Sequence, residues 1–289
     1  MKSLRSVYRP GSEMRTIATM LKKNRFGIGG LIVVIAFVTI AILAPFLAPY
    51  DPIEMHLDKR FLPSSSEFLL GTDEFGRDTL SRIIYGARVS ISISVTTVAV
   101  AMLVGVLIGS ISGYYGGKVD FIVMRFVDIF NSFPALLLAL GIITVLGRGV
   151  EKLMLVLPIL FWPEYARITR GLALYLEKMD YVEAARVFGS SKLRVVLSHI
   201  LPNVFPTCIV IGTFQLGSAI ITETSLSFLG LGVNPPMPSW GNMLTNSREY
   251  ILRAPQLAII PGMVITIVIL GFNLLGDALR DALDPRLRI

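Results

Sequence analysis

Charge is scarce in this chain, at 16% of its residues, and cysteine is nearly absent, Cys208 standing alone among 289 residues. One cysteine excludes a disulfide framework and a thiolate metal site. His56 and His199 lie far apart without ligand spacing, so no metal is expected. Catalytic signatures are missing too: no Gly-x-Ser-x-Gly, His-Glu-x-x-His or Gly-x4-Gly-Lys-Ser/Thr pattern occurs. The nearest glycine cluster, Gly113 to Lys118, has the wrong spacing for a phosphate loop and reads as a helix end and tight turn. The chain is therefore not expected to be an enzyme or to carry a cofactor. Its net charge of +7 comes from lysines and arginines scattered beside apolar segments, not gathered into a stripe, so nucleic acid is not an expected partner.

Apolar residues are abundant instead, at 53% with a mean hydropathy of +0.68, which places the chain among membrane proteins. Runs long enough to cross a bilayer are Gly27 to Ala48, Val89 to Tyr115, Ile129 to Gly147, Leu201 to Thr222 and Ala254 to Gly276. A shorter run, Leu153 to Pro163, is interrupted by Pro158 and Pro163. Counting it gives six spans and an all-α polytopic protein with both termini on one side. The first 26 residues hold seven Lys/Arg and one acid, an inside signal, and residues 164 to 203 hold six Lys/Arg. Asp51 to Arg88 holds seven acids against five bases and belongs outside. The expected division is 1–88 for the N-terminus, first span and outer loop, 89–277 for a five-helix core with a cytosolic loop at 177–203, and 278–289 for a cytosolic tail. The first apolar run is too long for a signal-peptide core and should stay as an anchor.

The cytosolic loop carries Asp180-Tyr181-Val182-Glu183-Ala184-Ala185-Arg186-Val187-Phe188-Gly189, then Ile200-Leu201-Pro202-Asn203. Its layout reads as a short helix, a glycine turn and a second short helix. Gly189 suits the left-handed position past a helix end, Ser190 or Ser191 suits the next N-cap, and Pro202 is expected to stop the second helix. Ala184 and Ala185 leave a smooth surface for another protein; the plainer reading is an amphipathic hairpin at the membrane interface.

The spacing Glu-Ala-Ala, three residues, Gly, ten residues, Ile-Leu-Pro resembles the cytoplasmic signature loop of importer permeases of the ATP-binding-cassette family. Gly71-Thr72-Asp73-Glu74-Phe75-Gly76-Arg77-Asp78 with Leu80-Ser81-Arg82 resembles the dipeptide, oligopeptide and nickel permeases of that family, C-type subunit. So do Leu226-Ser227-Phe228-Leu229-Gly230-Leu231-Gly232 and the tail Gly276 to Arg286. The resemblance implies a type I importer permease fold in a bacterial or archaeal cytoplasmic membrane. It implies as partners a second homologous permease chain, two ATPase subunits or domains and an external substrate-binding protein. Tyr181, Val182, Glu183, Ala184, Ala185, Phe188 and Gly189 would then contact the ATPase, with Tyr181, Val182 and Phe188 supplying the apolar part. The outer loop reads either as a solvated cover or as a landing surface for the external partner.

Polar groups inside the spans are the remaining candidates, since burying them in lipid is costly. Asn131, Ser132, Gln215, Ser218 and Asn273 either line a translocation path or join packed helices by hydrogen bonds. Glu223 falls at the outer end of a span, where hydration is expected. Gly105, Gly109 and Gly113 have the spacing of a close helix contact. A path lined by neutral groups suits a peptide, whose side chains vary, and a nickel chelate is the alternative cargo. An ion-coupled secondary transporter would need inverted repeats and a buried charge at mid-depth, and an intramembrane enzyme would need a nucleophile–base pair or a metal set.

Overall fold

The computed structural model describes residues 24–283. The basic residues of the first 23 positions, and Asp284, Pro285 and Arg286 of the tail, lie outside the described residues. The protein is all-helical, and the pairing of Thr72 with Asp78 is the sole β-bridge among the described residues. In chain order the helices are α1 (Arg25–Ile42), α2 (Ala44–Leu47), α3 (Thr79–Tyr115), α4 (Gly117–Ser132), α5 (Ala135–Leu146) and α6 (Val150–Leu176). They continue with α7 (Asp180–Val187), α8 (Lys192–Val195), α9 (Leu201–Phe228), α10 (Trp240–Ser247) and α11 (Gln256–Leu283).

Four helical stretches are long and apolar enough to cross a membrane: α1, α3, the continuous run Lys192–Phe228 and α11. A fifth exists only if α4 and α5, bent by 89°, count together. The sequence-based count of six therefore does not hold by length and apolarity, for two physical reasons. The expected span Ile129 to Gly147 is broken at Phe133, which is extended (φ −97°, ψ 138°) because the ring of Pro134 disfavours helix in the residue before it. The short run Leu153 to Pro163 is the middle of a 27-residue helix, with Pro158 and Pro163 both inside it. Glu151, Lys152, Glu164, Arg167 and Arg170 make that helix too polar to register as a span. Helix α3 begins at Thr79 and α11 runs on to Leu283, each extending past the apolar run that it contains.

Close backbone approach along small residues builds the bundle. A Cβ on Gly105 would stand 2.5 Å from the Trp162 carbonyl oxygen, and one on Gly113 2.5 Å from that of Arg170. One on Gly109 would strike Thr169 and the Ala166 carbonyl. These three glycines let α3 lie directly on α6, as their spacing predicts. On the opposite flank Gly30 faces Gly271 and Leu275 backbone atoms, and Gly27 faces Ala278, locking α1 to α11. The described start of α1 and end of α11 thus share one end of the bundle.

The outer loop folds around charges that are buried, not solvated. Asp73, Glu74, Arg77, Asp78 and Arg82 are all at most 5% exposed. Asp73 Oδ1 accepts hydrogen bonds from the Phe75 and Arg77 amides, and Arg77 Nε donates to Asp73 Oδ2 at 2.7 Å. Arg77 also reaches Glu74 at 3.0 Å, while Arg82 sits 3.3 Å from Asp73 and donates to the Pro52 carbonyl. Asp78 caps α3 by accepting from the Ser81 amide at 2.7 Å. The charged signature residues hold the loop together; being buried, they are neither a solvated cover nor themselves a landing surface, whereas Phe75 between them is exposed. Burial, with Asp73 beside it, pushes the Glu74 carboxyl above the ordinary range.

Candidate coupling hairpin and translocation face

Helix α7 ends in a left-handed glycine cap. Gly189 has φ +81°, the Ser190 amide donates to the Ala185 carbonyl, and the Gly189 amide donates to Arg186. These are the two bonds of a Schellman motif. Ser191, rather than Ser190, caps α8, accepting from the Arg194 amide. Arg186 pins the hairpin to the bundle: Nε donates to the Tyr114 hydroxyl at 3.1 Å and Nη2 to Glu177 at 2.9 Å. Glu177, then Tyr114, hold that guanidinium above its ordinary value. Since Tyr114 closes α3 while the outer loop caps its start, the hairpin and the outer loop occupy opposite ends of a helix about 55 Å long.

The expected contact residues separate into two sets. Glu183, Ala184 and Gly189 are exposed, Tyr181 is 44% exposed, and Val187 and Phe188 project at 79% and 88%. Val182 is fully buried in the core cluster that also holds Val195, Val196 and Ile200, and Ala185 packs partly against it. Val182 is thus an anchor inside this chain, not part of its outward apolar face, because the i, i+3/i+4 geometry of α7 turns it toward α8. Val187 takes its place outside. The Tyr181 and His199 rings lie 6.1 Å apart and join the two arms.

Pro202 does not stop the second arm. Residues Val196–Ile200 form a π turn, the Leu201 amide donates to Val196, and the chain passes without interruption into α9. The π turn directly before it carries the helix past Pro202. The hairpin is therefore one end of a 37-residue helical run, Lys192–Phe228.

Of the polar span residues, Gln215 is the one brought into a site. Its Nε2 donates to Glu164 Oε2 at 2.7 Å, while its Oε1 is buried without a hydrogen-bond partner among the described residues. Ser218, three residues on, is exposed. Asn131 and Ser132 are exposed at the end of α4, where the Ser132 hydroxyl bonds the Asp128 carbonyl. Asp128 in turn holds Arg167 at 2.8 Å. This face of α4, α6 and α9 therefore carries charged groups beside the neutral ones. Asn273 is elsewhere: it packs beside Gly217, two residues past Gln215 and so nearly opposite on the helix. Glu223 is also not the hydrated residue expected. It is fully buried, bonded by Ser227 at 2.8 Å and Ser90 at 3.2 Å, and ties α9 to α3.

Comparison with known sequences matches residues 105–289 to the profile described as "Binding-protein-dependent transport system inner membrane component". The chain belongs to this family. Residues 12–63 match the N-terminal transmembrane domain of oligopeptide transport permease C. Among relatives, a dipeptide transport system permease protein of Alkalihalophilus pseudofirmus is 40% identical over 97% of this chain and 92% of its own. A di/tripeptide transport system permease protein of Pseudomonas aeruginosa is 41% identical over 92% of this chain and 89% of its own. A glutathione transport system permease protein of Pectobacterium atrosepticum is 42% identical over 88% and 85%. Among the residues of this inner-membrane component that sequence reasoning missed, Glu164 is the chief one. It sits one residue past the proline taken as the end of the run, although the apolar spacing of α6 continues beyond it to Leu176.

Proposed function

We propose that this chain is the C-type permease subunit of an ATP-driven, binding-protein-dependent importer of di- or oligopeptides. The observation that carries the reading is the capped hairpin fused to α9. It presents Tyr181, Glu183, Ala184, Val187 and Phe188 outward while Val182 and Arg186 fix it from within. Such a surface suits a cleft on each ATPase, and the continuous helix carries its displacement into the bundle. In this reading the hairpin end and both termini face the cytosol, and the outer-loop end faces an external binding protein. A second, homologous permease chain completes the path against α4, α6 and α9. ATP binding closes the ATPase pair, the hairpins move as rigid bodies, and the path opens outward. This requires the hairpin to contact the ATPase differently in its two states. The peptide substrate is supported by the names of the relatives, each a permease for a dipeptide, a di/tripeptide or glutathione.

The test is the exposed alanine. Ala184→Arg adds a long charged side chain to the outward surface without touching a span. ATPase copurification and dipeptide uptake should both be lost while the amount of membrane-inserted chain stays at the wild-type level. Wild-type copurification and uptake in that variant would remove the coupling role.

A further inference from the structure

Glu164 lies 14 residues into α6 and Gln215 14 residues into α9, each about 21 Å from its helix start and so near the middle of its helix. An ionised carboxylate in the middle of a membrane protein's helix bundle is stable only against a cation, a donor set or water. The nearby basic side chains are committed elsewhere, Arg167 to Asp128 at 2.8 Å and Arg170 to Asp120 at 2.5 Å. Glu164 is exposed on the face of α4, α6 and α9, and receives a single side-chain hydrogen bond, from Gln215. Gln215 is 4% exposed, its amide fixed by that bond, with its Oε1 left unpaired. Glu164 Oε2 accepts from Gln215, no hydrogen bond among the described residues reaches Glu164 Oε1, and the exposed carboxylate keeps that acceptor capacity. We propose that Glu164, oriented by Gln215, is the station that holds the primary ammonium group of a substrate during transit. An ammonium has three N–H donors and no acceptor, which complements the open side of that carboxylate. A divalent metal fits less well, because no group of three or more His, Cys, Asp or Glu side chains gathers among the described residues. The inference rests on the peptide-import reading, since peptides carry such an amine.

The experiment uses the complete importer, reconstituted in liposomes with its partner chains, and dialanine with a free amino terminus as the probe. Glu164→Gln should lower the uptake rate by at least about tenfold, the scale of a lost hydrogen bond to a charged group. Glu164→Asp, which keeps the charge, should retain most of the rate. Wild-type uptake by Glu164→Gln, or equal impairment of both variants as a shape-only role would give, overturns the proposal. Glu164→Cys gives an independent readout, because the native Cys208 is fully buried. The new thiol should react with a cationic methanethiosulfonate, and dialanine turnover should slow that reaction. A thiol that is inert, or labelled at the same rate with and without dialanine, overturns the proposal as well. Failure of the wild-type importer to take up dialanine would strike the peptide reading itself. Uptake by wild type and by Glu164→Gln alike would strike this inference alone.

Discussion

At Gly189 the space a Cβ would occupy is empty, so the cost of substitution comes from the backbone at φ +81° and not from crowding. A β-branched residue there should cost about 1 kcal/mol or more, while asparagine, which tolerates the left-handed region, should cost less. Gly189→Val should therefore weaken ATPase copurification much more than Gly189→Asn, with insertion unchanged in both. Val182→Ala should loosen the same hairpin from inside by roughly 2 kcal/mol, read as faster proteolysis at the hairpin. Glu74 gives a pH signature in the outer loop. Its carboxyl is raised in the folded state, so the fold binds its proton more tightly than the unfolded chain does. Loop stability should then be highest at low pH on this account, fall as pH rises from the ordinary carboxylate range through the raised value, and level off above it. Limited proteolysis of the outer loop across pH should show that slope in wild type and a flatter one in Glu74→Gln.

Among the elements, α3, α9 and α11 were legible because each is an uninterrupted apolar run, and the glycine spacing of α3 correctly signalled its seam with α6. Gly109→Ala should cost on the order of 1–3 kcal/mol, because its Cβ meets the Ala166 carbonyl and the two backbones must separate. Gly171→Ala on the neighbouring helix meets nothing within 4 Å and should leave the denaturation temperature unchanged or raised. The α4–α5 bend was missed because the expected span was drawn by apolar length straight across Pro134, and composition carries no angle. Helix α6 was hidden for the opposite reason: its charges resemble a span's end when their partners on other helices are unknown. Asp120 and Asp128 of α4, and Gln215 of α9, are those partners. Glu223 was misplaced likewise, since Ser90, which holds it, is 133 residues away in sequence.

For the molecule as a whole, the unbroken run Lys192–Phe228 joins the hairpin's second arm to the span, and in the proposed import reading the two would act as a single lever. Were Pro202 a true stop, the hairpin would hang on a flexible joint and a partner's motion would dissipate there. The π turn keeps the helix continuous, and Arg186 on Tyr114 adds a second attachment to α3. Leu197 and Ser198 lie within that turn with exposed side chains, so replacing both by glycine removes little packing. It should cost about 1 kcal/mol of helix propensity per site and create a hinge between docking surface and span. In the reconstituted importer, Leu197→Gly with Ser198→Gly should still copurify with the ATPase and still hydrolyse ATP, while peptide moved per ATP falls severalfold. An unchanged ratio of uptake to hydrolysis would mean that motion enters the bundle by another route, through Arg186 and α3, and that α9 is not the lever.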